Sequence, residues 1–227
     1  MTSLYTGPGL LYVGSRTKPS TDISNETYNK WYDDIHVPDV LETSGVQTAV
    51  RYIAAPGKSD DLNWPFLAVY PISNLHYLTT EEFANIPSTD RLLPGPSHSC
   101  LDCAEFDQRH YATVGKFQVG ESSSKPSPKL LVVHFDYPTT LCDADPKKVQ
   151  DWYFQQQTKD VNQQVQLYKL IMAHRFKDNA STRPALFIAL HRLLDDKSCQ
   201  QALAAVKSTS ASVAVYDLWK EFGQLNK

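Results

Sequence analysis

Tyr32, His36 and Asp39 fall within about two helical turns of one another in the run Trp31-Tyr-Asp-Asp-Ile-His-Val-Pro-Asp39. Spacings of three and four bring side chains together on a helix surface, with Tyr32 and His36 one turn apart. Histidine exchanges a proton near neutrality without extreme tuning, so His36 is the candidate acid/base group. Asp39 could orient its ring or balance its charge, as a carboxylate does beside other catalytic histidines. Pro38 lacks a backbone donor and crowds the carbonyl of Asp34, which predicts a kink that frees polar groups beside the imidazole. The competing reading is a structural histidine that pins the kink.

Other residues extend this set. His110, beside Tyr111 on a predicted strand, is a candidate second member of an acid/base pair. Arg51 could grip an enolate or carboxylate, or serve as a scaffold ion pair. Tyr12 and Tyr70 are candidate hydroxyl donors lining the cavity that Trp31 and Tyr32 would wall, and strand parity decides which face each meets. His134, Tyr137 and His191 could line a second pocket. His98, Cys100, Cys103 and His110 invite a zinc reading, yet a lone Cys-x-x-Cys in a Pro/Ser-rich loop is a weak metal signal, and no metal is expected. The chain has no glycine-rich phosphate loop, Gly-x-Ser-x-Gly elbow or His-Glu-x-x-His helix, which argues against nucleotide-driven, serine-hydrolase and metalloprotease chemistry.

The elements that would position these groups are written twice. Trp31-Tyr32 and Asp39-Val40 recur as Trp152-Tyr153 and Asp160-Val161, 121 residues later. Gly9–Val13 parallels Lys129–Val133, and Pro65–Tyr70 parallels Pro184–His191. Tyr111–Phe117 parallels Tyr216–Phe222, where the offset falls to 105 because the first copy carries the longer loop. The second copy has Gln157, Val132, His191 and Val215 where the first has His36, Tyr12, Tyr70 and His110. Asp160 persists without the histidine, which favours a structural role for Asp39, and Arg51 matches Arg175 once a three-residue insertion is allowed. A repeated scaffold with one titratable helix predicts a single working cavity.

Within the first copy, residues 9–16 read as a strand and Ser24 as the cap of a helix running to about Glu42, ended by Ser44-Gly45. Val46–Ala54 and Pro65–Ile72 read as strands, Thr79–Ile86 as a short helix and Arg109–Val119 as a strand. The order is βαββαβ. Units 1–119 and 129–227 are joined by a polar, proline-punctuated linker, 120–128, and the second unit's helix is capped by Asp145 and opened by Pro146. Such a unit forms a four-stranded antiparallel sheet with both helices on one face, and its other, apolar face needs cover. The predicted class is α+β: two fused ferredoxin-like units packed sheet to sheet as an intramolecular dimeric α+β barrel.

Tyr28-Asn-Lys-Trp-Tyr-Asp-Asp-Ile-His-Val-Pro-Asp39, followed by Gly45 and Arg51-Tyr52, resembles the EthD-like family of dimeric α+β barrel proteins, in a tandem-repeat, fungal-type form. The resemblance covers most of the chain. It implies a small molecule held between sheet and helices, and a place beside fungal polyketide and terpenoid pathways. Related barrels include polyketide cyclases, muconolactone-type isomerases, cofactor-free monooxygenases and haem-binding peroxidases. The expectation is a cofactor-independent tailoring enzyme of the lyase or isomerase type. It would perform acid/base cyclisation, isomerisation, dehydration or decarboxylation of a polyketide-like or terpenoid metabolite. The alternatives are a cofactor-free monooxygenase of an anthrone or phenol, and a non-catalytic protein that binds a hydrophobic metabolite. A haem reading lacks a proximal histidine on the second long helix, where Gln157 stands, so no cofactor is expected.

Hydrophobic content of 41%, 21% charged residues and a net charge of −3 describe an ordinary soluble globular chain. Its scattered basic residues leave no footprint for nucleic acid. No window approaches the run of about 20 apolar residues needed to cross a bilayer. The N-terminus lacks the marks of a signal peptide, so the expected address is the cytoplasm, with free thiols and unused sequons at Asn25 and Asn179. Exposed barrel edges would let the fused units pair into a homodimer.

Overall fold

The computed structural model describes residues 4–59, 64–120, 127–137, 141, 145–157, 161, 163–176, 183–206 and 212–223. Asp160, the Asn179 sequon and most of the 120–128 linker lie outside these. The strands are β1 (Gly9–Thr17), β2 (Thr48–Ser59), β3 (Phe66–Ile72), β4 (Ala104–Val119), β5 (Lys129–Phe135), β6 (Gln163–Phe176), β7 (Phe187–Leu193) and β8 (Ser212–Gly223). They hydrogen-bond in the orders β4-β1-β3-β2 and β8-β5-β7-β6, each the ferredoxin-like order. Antiparallel β2–β8 and β4–β6 seams then join the two sheets into one closed barrel. The fold is thus the fused pair of ferredoxin-like units expected from the repeat. Closure also removes the sheet edges on which the homodimer expectation rested.

Ser24 caps helix α1 (Asn25–Trp31), its hydroxyl accepting from the Thr27 amide at 3.0 Å. A π turn (Tyr32–His36) follows, then α2 (Val37–Glu42). In the π turn the Val37 amide reaches back five residues to the Tyr32 carbonyl. Pro38, one residue on, has no N–H with which to continue the four-residue ladder, so the chain widens before it. The predicted kink is therefore a widened turn, and Pro38 sits in the first turn of α2, where a missing donor costs least. After α2, Gly45 lies under the Tyr77 ring, where a Cβ would come within 2.0 Å of Tyr77 Cγ.

Three element limits differ from the sequence reading. The segment expected as one helix over 79–86 is a 3₁₀ turn (Leu75–Thr79) followed by the single helical turn α3 (Glu81–Ala84), because Thr80 stays extended and caps α3. β4 begins five residues early, directly after the short helix α4 (Cys100–Cys103), because it pairs with β1 as far as Ala104. β2 starts at Thr48 and extends to Ser59 along β8. In the second copy, Asp145 caps α5 (Pro146–Gln155) and α6 (Asp196–Val206) precedes β8.

Strand alternation divides the core into layers. Leu11, Val13, Ala68 and Tyr70 face α1 and α2 together with Tyr28, Trp31 and Tyr32. The second copy's helices cover Leu131, Val133, Phe135 and Phe187. Between the sheets, inside the barrel, lie Leu10, Tyr12, Tyr52, Leu67, Val132, Tyr168 and Tyr216. Arg109 is buried beside this layer, donating to both Asp107 oxygens at 2.8 and 2.6 Å and to His134 Nδ1 at 3.2 Å. Among the described residues no helix is long and apolar enough to cross a membrane.

Candidate functional site

A cavity of about 320 Å³ lies between the first sheet and its helix. The sheet contributes Leu11, Val13, Tyr70, Phe106 and Gln108, and the helix contributes Tyr32, His36 and Val40. Phe83, Ile86, Ser88 and Cys100 close its sides. The walls are mostly apolar, and the volume sits near the small end of ligand pockets, which run from about 300 to 1,000 Å³.

His36 is partly buried, its ring stacked on Trp31 at 5.1 Å and edge-on to Tyr32 at 5.2 Å. Its Nδ1 lies 3.1 Å from the Pro87 carbonyl oxygen. A carbonyl only accepts, so Nδ1 carries the proton and Nε2 keeps its lone pair. Burial pushes the imidazole pKa down to about 4 against the smaller upward pull of the Pro87 bond, and the Arg51 charge adds to the lowering. The ring is therefore a neutral base of fixed tautomer at pH 7. Pro87, rather than the candidate Asp39, makes the contact that orients the ring. Asp39 is absent from the cavity lining, and burial together with Glu42 and Asp90 raises its carboxyl pKa.

Tyr70 donates to the Tyr32 hydroxyl at 3.4 Å, leaving the Tyr32 proton for another acceptor. Burial raises both phenols, which keeps them neutral donors. Arg51 lies outside the cavity lining, with its guanidinium 4.1 Å from the centre of the Tyr32 ring. It pairs with buried Asp33 and donates to Asn29 Oδ1 at 2.8 Å, and Asp33 also accepts from Trp219 Nε1 at 2.8 Å. The scaffold reading of Arg51 describes this geometry, with the cation backing Tyr32 from behind. Its proposed match to Arg175 fails on register. Arg51 faces Ala68 across β2–β3, and the residue facing Ala189 across β6–β7 is Leu167. Arg175 instead reaches Asp107.

The remaining candidates separate. Trp31 is buried and backs His36 without entering the lining. Tyr12 faces the barrel interior, edge-on to Tyr111 and His134, on the far side of the sheet from the cavity. His110 is buried one row from the cavity, bonded to Tyr5 and Gln108. His134 also faces the barrel interior, and Tyr137 packs edge-on to Phe187. His191, in the place of Tyr70, has both ring nitrogens engaged, by Tyr153 at 2.8 Å and Gln163 at 3.0 Å. The Gln157 amide turns back to the Tyr153 carbonyl.

The zinc set does not assemble: His98 Nδ1 meets the Leu93 carbonyl, and His110 is held as above. Among the described residues no group of three or more His, Cys, Asp or Glu could hold a metal. Cys100 and Cys103 carry free thiols, and burial pushes the Cys100 thiol up to about 12, too high for a nucleophile at neutral pH. Gln108, Phe83, Ser88 and Pro87 were missed in the sequence. Gln108 could have been found from strand alternation with His110 and from its apolar counterpart, Val213.

No family model matches the chain. An anthrone oxidase-like protein superposes with a TM-score of 0.54 at 9% identity, covering 99% of this chain and 96% of that one. A candidate monooxygenase of Fusobacterium nucleatum subsp. nucleatum superposes at 0.53 with 8% identity, covering 97% and 96%. In sequence, 84 residues are 33% identical to core atranone cluster protein 1 of Stachybotrys chlorohalonatus, a match that spans 37% of this chain and 34% of that one. The chain therefore matches about a third of that relative's length. The structural likenesses confirm the dimeric α+β barrel fold.

Proposed function

We propose that this protein is a cofactor-independent tailoring enzyme of secondary metabolism that removes a proton from a small, largely apolar aromatic or polyketide-like molecule. The observation that carries the reading is the fixed, neutral His36, whose Nε2 lone pair is left for a ligand in an apolar cavity. Nε2 takes a proton from carbon next to a carbonyl, or from a phenol. The Tyr32 hydroxyl, one ring away, donates to the oxygen that gains charge, and Arg51 supports that hydroxyl through the ring face. Cyclisation, isomerisation or dehydration can each begin from the enolate so formed, and decarboxylation of a β-keto acid would release the same enolate for Tyr32 to stabilise. The resemblance to EthD-like proteins and the partial match to a gene-cluster protein support secondary metabolism as the setting.

A second reading is favoured by the fold's likeness to an anthrone oxidase-like protein and a candidate monooxygenase. Here the same base acts on an anthrone or phenol, and molecular oxygen then oxidises the anion. The test is His36→Gln, which installs the residue of the second copy. Turnover of an anthrone should fall by about a hundredfold, the usual worth of a positioned base, with affinity nearly kept. Oxygen uptake matching turnover selects the monooxygenase. Unchanged turnover in the variant overturns the role of His36, and binding without turnover in the wild type leaves a metabolite carrier.

A further inference from the structure

His110 and Gln108 stand on the cavity side of β4, one row apart, where the second copy has Val215 and Val213. Those valines belong to the packed core of the second copy. In the first copy the same two positions form a directed chain. Gln108 Nε2 lies 3.0 Å from His110 Nε2. An amide nitrogen only donates, so His110 Nε2 accepts and the ring proton of the neutral form sits on Nδ1. That nitrogen is 3.1 Å from the Tyr5 hydroxyl, which in turn donates to Met172 Sδ at 3.5 Å. His174 and Phe83 pack edge-on against the ring. One N–H of Gln108 is thus committed to His110. Its carbonyl oxygen and second N–H remain for the cavity that it lines.

We propose that Gln108 binds a second oxygen of the ligand, and that His110 is a positioning residue that fixes the Gln108 amide. The inference rests on the site proposed above and narrows the ligand class. The molecule carries its acidic proton and first oxygen at the His36 and Tyr32 end, and a further hydroxyl or carbonyl at the Gln108 end. Gln108 and the His36/Tyr32 pair come from opposite walls, one from the sheet and one from the helix, so the two oxygens lie on separate edges of a ring system. The committed amide favours a ligand with a second oxygen, because that oxygen completes the hydrogen bonding of the half-buried Gln108 side chain.

The test is calorimetric binding of 1-naphthol and 1,5-dihydroxynaphthalene to the wild type, Gln108→Leu, His110→Leu and His110→Gln proteins at pH 7. The wild type should prefer the diol by about tenfold, the worth of one hydrogen bond. Gln108→Leu should bring the ratio near one while keeping 1-naphthol affinity within about twofold. His110→Leu should lower the ratio, and His110→Gln, which can accept from the amide and donate to Tyr5, should restore it. A wild-type ratio near one, a ratio unchanged in Gln108→Leu, or equal loss of both ligands in that variant overturns the proposal while leaving the His36 site standing. Failure of either naphthol to bind the wild type overturns the site reading with it.

Discussion

Two histidines, in unlike surroundings, arrive at the same protonation state. His36 gives its ring proton to the Pro87 carbonyl and stacks on Trp31, while His110 is held by Gln108 and Tyr5 away from the cavity lining. Burial pushes both down to about 4. For the proposed base this fixes the acid limb of activity. The neutral form is the working form, so kcat/KM should fall as pH drops through about 4 and stay flat from 5 to 8. A limb near the ordinary value of 6.5 would show a solvated imidazole instead. Sequence made His36 legible through its loss at Gln157. Gln108 stayed hidden because a glutamine on a strand stands out only when its alternation with His110 and its replacement by Val213 in the second copy are read together. Tyr12 stands on the other face because strand parity, which decides the matter, is set by the fold: it alternates with Leu11, and Leu11 is the one that meets the ligand side.

At the scale of elements, the π turn aims the chemistry. It inserts one extra residue per turn between Tyr32 and His36, bringing both rings to one cavity while Trp31 backs them. Pro38→Ala restores a donor for the Asp34 carbonyl and lets the segment relax to regular helix. Stability should change by less than about 1 kcal/mol, since proline already sits where it is tolerated. Turnover should nevertheless fall at least tenfold as His36 rotates away from the cavity. Urea unfolding and steady-state rates on the same variant check the pair of outcomes, and an undiminished rate would show that the turn does not aim the ring. The kink was legible because proline acts locally. Its form was not, because a widened turn and a bend break the same hydrogen bond. The false match of Arg51 to Arg175 has a related cause. Period-2 strands tolerate many alignments, and only the ladder opposite Ala68 and Ala189 fixes which residue is equivalent.

For the whole molecule, the count of buried neutral imidazoles sets the response to acid. His36 and His110 at about 4, and His191 at about 3, all lie below the unfolded value near 6.5. As pH falls from about 6.5, the unfolded chain takes up these protons before the folded one, so stability drops with pH. Each group contributes at most about 1.4 kcal/mol per pH unit. Urea midpoints should therefore fall steeply between pH 6.5 and 4.5, and His191→Phe should flatten the slope. A midpoint that is level across that range would mean these rings are open to water in the folded state. The barrel itself was legible from the repeat, since each half sheet has one apolar face and a second copy to cover it.

Closure of both seams within a single polypeptide has a further consequence. A barrel assembled from two identical subunits must carry every substitution twice, so what serves one hollow is imposed on the other. Here Phe154, tilted against Phe117 at 5.5 Å, and Phe135, stacked on Tyr153 at 4.9 Å, occupy the space beneath the second copy's helix. Selection could fill that half as ballast while refining its sibling. The same independence makes the aromatic plug an address for engineering, where a second receptor could be excavated with its own specificity and the original left as it is.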